Sequence, residues 1–176
     1  LWKACTNGSS ELMTSLSSSV VNSMYNLQLM KFCGENGVAA YGMIMYVSFI
    51  FTAIYIGYSM GSAPIVSYHY GAKNHPELQN ILKKSLKLLG IACAFQFTLA
   101  QLIASPLARL FVGYDAQLFQ LTQHGFRIFS LTFLISGFNI YGSSFFTALN
   151  NGPLSALISF LRTLVFQLGV LLILPH

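Results

Sequence analysis

Uncharged polar side chains recur at intervals of three and four residues along several apolar stretches of this 176-residue sequence. Such intervals place side chains on one face of an α-helix. Amides, hydroxyls and phenols on an apolar face can hold an organic ligand through a few hydrogen bonds, while aromatic residues and methionine supply apolar contact. We therefore predict a ligand cavity lined by Asn22, Tyr25, Ser48, Thr52, Tyr55, Asn139 and Ser143.

Close packing between helices is the competing interpretation of these polar stripes. Small residues such as serine, threonine and glycine let helices in a membrane approach closely. This interpretation suits the Ser17–Ser19 run and the pair Gly57 and Gly61. It suits Asn22 and Asn139 less well, because burying an unpaired amide costs roughly 1–3 kcal/mol. The stripe with Asn139 also contains Thr132, Ser136, Ser143, Phe146 and Asn150.

Two charged residues near apolar stretches are candidates for an ion-coupling or charge network. Glu11 begins the first polar stripe, and Arg162 lies within the last apolar stretch. Charges at depth in a membrane are costly and often functional. Each also has a plainer interpretation: Glu11 as a helix N-terminal charge that the macrodipole favours, and Arg162 as a side chain that reaches the membrane surface.

The sequence gives weak support for an enzyme active site or a metal site. The segment Gly57–Gly61 matches the G-x-S-x-G nucleophile elbow, but that elbow needs a strand–turn–helix setting and here lies within a long hydrophobic helix. His69, His75 and Glu77 lack the H-E-x-x-H spacing of a zinc site. Three widely spaced cysteines match no zinc or redox motif. We expect no enzyme activity, no metal and no cofactor.

Composition places the chain in a membrane. Charged residues make up 7% of the sequence, hydrophobic residues make up 55%, and the mean hydropathy is +0.63. Soluble domains carry about 25% charged residues, and disordered chains are far less apolar. Charge-free runs of 19, 37, 21 and 34 residues separate successive charges. Runs of 18 or more predict membrane-spanning helices. The predicted fold class is therefore an all-α integral membrane protein, a polytopic helical bundle.

Turn signals divide these runs into elements. Gly34–Gly37 is predicted to form a tight turn. Residues 71–79 are predicted to form a polar loop, and Arg109 lies in a second predicted loop. Pro106 is predicted to end the third helix, and Pro153 to begin the fifth. We predict a single partial lobe over residues 1–176 with five transmembrane helices at 9–33, 38–70, 77–105, 117–149 and 153–175.

The distribution of basic residues predicts orientation. Five lysines fall on the side of the chain's N-terminal end, namely Lys3, Lys73, Lys83, Lys84 and Lys87. The other side has Lys31 and Arg109, with Arg127 nearby. The positive-inside rule therefore predicts a cytoplasmic N-terminal end. The net charge of +5 reflects topology, and no nucleic-acid partner is expected.

Several segments resemble one transporter family in order and spacing. They are GENGVAAYG at 34–42, GYSMGSAPIVSYHYGA at 57–72, FRIF at 126–129, GFNI at 137–140 and FFTALNNG at 145–152. Across nearly the whole chain they resemble the multidrug and toxic compound extrusion (MATE) family, most closely a bacterial exporter. That resemblance implies twelve helices in two six-helix lobes, alternating access, and antiport against H⁺ or Na⁺. This chain would then supply helices seven to eleven, an incomplete C-terminal lobe, with the N-terminal lobe as its missing partner.

The resemblance also implies a function and a location. We expect a secondary multidrug exporter of amphipathic organic compounds in a bacterial plasma membrane, in contact with membrane lipid. If the bacterium is Gram-negative, this is the inner membrane. A lipid-linked oligosaccharide flippase of related architecture is the alternative. Some relatives carry acidic cation-site residues in the seventh and tenth helices, whereas here Ser18 lies in the corresponding region of the first helix and the fourth predicted helix has no acid. A coupling carboxylate is then expected mainly in the N-terminal lobe, with Glu11 as a local candidate.

Overall fold

The computed structural model describes residues 2–150 and, beyond them, residues 154, 157, 158, 160, 161, 165, 167 and 169. Residues 2–150 form helices α1 (Trp2–Gly71), α2 (His75–Val112), α3 (Ala116–Phe129) and α4 (Phe133–Ala148), with a 3₁₀ turn at Ser130–Thr132. Over this range there is no strand, and the all-helical prediction is confirmed.

The number of helices differs from the prediction of five. Three stretches in the described part of the chain are long and apolar enough to cross a membrane: Ser15–Gly71, His75–Val112 and Ala116–Ala148. The predicted fifth helix, 153–175, lies largely outside the described residues. The predicted boundary between the first two helices shrinks to one residue, Gly34, within α1.

Gly34 is the point at which α1 turns back on itself. Its backbone has φ 65° and ψ −157°, a conformation open almost only to glycine. The Tyr41 hydroxyl donates to Asn22 Oδ1 at 2.9 Å, and the Tyr41 ring stacks on Tyr25. Nineteen residues of straight helix would span about 28 Å, so this contact requires a hairpin. We call residues 2–33 the first arm and residues 35–71 the second arm.

Helix α2 is longer than predicted, because Pro106 does not end it. The helix continues to Val112 and includes Arg109 in its last turn, so the predicted end at residue 105 and the loop around Arg109 are wrong. Membrane helices tolerate an internal proline where neighbouring helices support the backbone. A stripe of small side chains, Ala100, Ala104 and Ala108, is at most 1% exposed and brings α1 and α3 close to α2.

The fourth predicted helix, 117–149, is interrupted. Asp115 caps α3 through Oδ1, which accepts from the backbone N–H groups of Gln117 and Leu118. Fourteen residues later the α-helix gives way to the 3₁₀ turn, and α4 then continues to Ala148. At the far end of α4, the Ser67 hydroxyl of the second arm donates to the Ala148 carbonyl at 2.9 Å.

The apolar surface fits a lipid environment. Large hydrophobic side chains are exposed on the outside of α1, α2 and α3, including Phe49, Phe95, Leu102 and Ile128. Inside the bundle, three clusters of buried residues join α1 and α2 to α3 or α4. Outward apolar and inward packed faces on the same helices are the arrangement expected of a membrane protein.

Candidate functional site: a cavity between α1 and α4

A cavity of about 450 Å³ lies where both arms of α1 meet α4. Ser18 comes from the first arm, Thr52 from the second arm, and Thr132 from the 3₁₀ turn. The full lining consists of Ser18, Thr52, Thr132, Ile135, Ser136, Asn139, Ile140 and Gln167. Ligand cavities in proteins commonly enclose 300–1,000 Å³, so the space suits a small organic molecule.

The lining combines neutral polar groups with aliphatic ones. The Thr132 and Ser136 hydroxyls donate to the Phe129 and Thr132 carbonyls, each at 2.7 Å, so their oxygens remain available as acceptors. Asn139 makes no hydrogen bond to the described residues, which leaves its amide free to donate and accept. Ile135 and Ile140 add apolar surface beside these groups. The lining can therefore contact an amphipathic molecule on both its polar and its apolar parts.

The predicted cavity residues separate into groups. Thr52 and Asn139 line this cavity together. Ser48 and Tyr55 are buried between helices instead: the Ser48 hydroxyl donates to the Ile44 carbonyl at 2.6 Å, and the Tyr55 hydroxyl to the Phe133 carbonyl at 3.1 Å. Ser143 is half-buried on α4, one turn beyond Asn139.

Asn22 and Tyr25 lie away from the cavity, where Tyr41 contacts both of them near the Gly34 hairpin. A groove of about 750 Å³ opens there between the arms, lined by Ser23, Asn26, Leu27, Met30, Glu35, Val38 and Ala39. This groove is mostly apolar and holds one carboxylate, that of Glu35. The two predicted residues therefore belong to the hairpin end of α1.

The two side chains predicted for an ion-coupling or charge network lie outside the described part of the chain. Arg162 lies outside the described residues, and the side chain of Glu11 does too, although its backbone is helical in α1. Ser59 of the G-x-S-x-G segment is buried within α1, and its hydroxyl has no partner among the described residues. Those residues also contain no group of three His, Cys, Asp or Glu side chains that could hold a metal ion.

Several lining residues were absent from the predicted set. Thr132 and Ser136 share the three- and four-residue spacing of Asn139, and that spacing was the signal available for them. Ser18 belongs to the stripe of Asn22 in the same way. Ile135, Ile140 and Gln167 carry no comparable signal, because aliphatic residues also face lipid and Gln167 stands apart from any stripe.

Comparisons with known proteins agree with this architecture. The sequence model of the family described as MatE matches residues 12–173. No curated protein sequence matches the chain. A solved structure described as "Crystal structure of MATE in complex with MaL6" is similar at a TM-score of 0.82 and 22% identity. The similarity covers 92% of this chain and 36% of that one, so this chain spans about a third of its length.

Proposed function

Because this chain belongs to the MatE family of membrane transporters, we propose that it serves in a secondary active multidrug exporter that moves amphipathic organic compounds by antiport against H⁺ or Na⁺. The family match supports transport, and the long apolar helices support a place in the membrane. The lipid-linked oligosaccharide flippase gains no support from these findings.

The cavity between α1 and α4 carries the proposal about substrate. Its size suits a small organic molecule, and Asn139 and Thr52 line it together with the aliphatic side chains of Ile135 and Ile140. A ligand cavity is typically lined mostly by apolar side chains, with a small number of polar groups that orient the ligand. Such a wall suits a set of chemically varied amphipathic compounds better than a single sugar or nucleotide, which would need a dense array of matched polar groups.

The coupling ion is proposed to bind elsewhere. The described lining of the cavity carries hydroxyls and amides, with Ser18 in the region where some relatives have an acid. We place the coupling carboxylate outside this wall, in the N-terminal lobe that the family resemblance implies. Glu11 and Arg162 remain local candidates for a charge network.

The proposed location is the plasma membrane of a bacterium, with the N-terminal end of this chain in the cytoplasm. The lysine count supports this orientation, since Lys83, Lys84 and Lys87 are grouped near the start of α2. A cysteine at position 84 should react with a membrane-impermeant thiol reagent only in inside-out vesicles. Reaction from outside intact cells would reverse the topology.

Drug susceptibility tests the export function. Cells that express the full-length gene should tolerate higher concentrations of cationic dyes such as ethidium than cells with an empty vector. In inside-out vesicles, ethidium uptake should stop when the coupling gradient is removed, with nigericin for protons or monensin for sodium. Equal susceptibility together with movement of a lipid-linked sugar would replace the exporter with the flippase.

A further inference from the structure

The interruption between α3 and α4 lies at one end of the cavity. Thr132 closes the 3₁₀ turn and lines the cavity, and the next lining residues follow on α4. Any change in the angle between α3 and α4 therefore moves one wall of the cavity, the wall with Asn139, relative to Thr52.

Side-chain hydroxyls produce this interruption. The stretch 126–136 contains neither proline nor glycine, the usual causes of a sharp break. Instead, the Ser130 hydroxyl donates to the Arg127 carbonyl and the Thr132 hydroxyl to the Phe129 carbonyl, both at 2.7 Å. Bonds from Ser and Thr to carbonyls three or four residues earlier compete with the helical ladder and bend helices.

Neighbouring helices hold the 3₁₀ turn through two further donor residues. The Gln101 amide of α2 donates to Ser130 Oγ at 2.8 Å and to the Arg127 carbonyl at 3.1 Å. The Tyr55 hydroxyl of the second arm donates to the Phe133 carbonyl, the first residue of α4. Tyr55 is 1% exposed, so no solvent replaces this bond if it breaks.

Tyr55 also packs tightly on α4 one turn further. A Cβ atom added to Gly137 would lie 2.9 Å from Tyr55 Cε1 and 2.8 Å from Cys93 Sγ. The phenol ring therefore occupies the space that the absent side chain leaves, and its hydroxyl reaches the start of the helix. Ring and hydroxyl together fix the position of α4 relative to the second arm.

We infer that Tyr55 is a positioning residue for the proposed transport cavity: its hydroxyl holds α4 at the 3₁₀ turn and so sets the distance between Asn139 and Thr52. Tyr55 does this without lining the cavity. The inference rests on the proposed function for its biological meaning, although its geometry can be tested without any transport measurement.

The test uses Tyr55→Phe in the full-length protein, in which every cysteine except Cys93 is replaced by serine and a cysteine is introduced at position 139. Cys93 is retained because it is buried. The readout is the rate at which position 139 reacts with a sulfonated, water-soluble maleimide. Tyr58→Phe is the matched control, because it removes a hydroxyl that donates to Ser85 of α2 rather than to α4.

Tyr55→Phe should change the labelling rate about fivefold, the factor that corresponds to one hydrogen bond of average net strength. Tyr58→Phe should leave the rate within about twofold of the parent. Gln101→Met removes the other donor and should change the rate in the same direction as Tyr55→Phe, which supplies a second variant if one fails to fold. Unchanged labelling in both, or equal changes in Tyr55→Phe and Tyr58→Phe, would overturn the inference.

Failure of the proposed function and failure of the positioning role would give different experimental results. A protein that exports no dye, yet shows altered labelling only in Tyr55→Phe and Gln101→Met, would keep the positioning role and lose the exporter. A protein that exports dye with a parental substrate profile and parental labelling in Tyr55→Phe would keep the exporter and lose the positioning role.

Discussion

The two interruptions in these long helices are built in different ways. At Gly34, one residue with a positive φ turns α1 into a hairpin, and nothing lies within 4 Å of the position where a Cβ would be. At Ser130–Thr132, residues in ordinary helical conformations form a 3₁₀ turn, which is bonded by its own hydroxyls and by neighbouring helices. The first interruption is a property of one backbone position, and the second is a property of packed helices.

The largest expected effect is at the hairpin. Gly34→Val should lower the thermal stability of the purified full-length protein, because a side chain disfavours this backbone conformation by about 1–3 kcal/mol. Gly42→Ala is the control, since Gly42 is helical with open space around it and alanine favours helix. Fluorescence-detected thermal unfolding measures both. A Gly34→Val protein as stable as Gly42→Ala would show that the hairpin does not depend on glycine.

This difference explains which parts of the fold the sequence could predict. The glycines at 34 and 37 indicated a turn, and the structure places the break there, although only Gly34 leaves the helix. The 3₁₀ turn at residues 130–132 had no such signal, because serine and threonine also occur in straight helices. Its cause includes Gln101, nearly thirty residues away, and a local pattern cannot reveal that contact.

The cavity was predictable in the same partial way. Spacing placed Thr52 and Asn139 on inward faces, and they share a cavity in the structure. Spacing also placed Tyr55 and Ser48 inward, but it could not separate residues that line a space from residues that fill one. That distinction depends on which neighbour approaches, as the Phe133 carbonyl approaches Tyr55.

An intermediate loss of stability is expected at the 3₁₀ turn. Ser130→Ala removes a fully buried hydroxyl that donates to Arg127 and accepts from Gln101, so it should cost about 1 kcal/mol of unfolding free energy. Ser19→Ala removes an exposed hydroxyl bonded to the preceding turn of its own helix and should cost far less. Thermal unfolding of the two variants compares them. Equal losses of stability in the two variants would mean that the hydrogen bonds from neighbouring helices do not stabilise the 3₁₀ turn.

The smallest effect on stability is expected within the cavity. Asn139→Ala removes an exposed amide without a partner among the described residues, so expression and unfolding temperature should stay near parental values. Dye export should instead change its selectivity, with tolerance to individual compounds altered about two- to tenfold if one hydrogen bond to the ligand is lost.

Asn26→Ala, on the groove near the hairpin, serves as the control for the cavity and should leave the drug profile unchanged. The helix-packing interpretation makes the opposite forecast for Asn139→Ala: lower stability and an unaltered profile. Minimum inhibitory concentrations across a panel of cationic dyes, measured at matched expression, distinguish the two.

The second arm touches α4 at both ends, through Tyr55 at Phe133 and through Ser67 at Ala148. The two attachment points are twelve residues apart on the arm and fifteen on α4, or about 18 Å and 22 Å along straight helices. A helix held at two separated points can neither slide along its neighbour nor swing away from it at one end without breaking one of these bonds. We therefore expect α4 and the second arm to move as one body, so that Asn139 and Thr52 keep their separation whenever this pair of helices shifts against the rest of the protein.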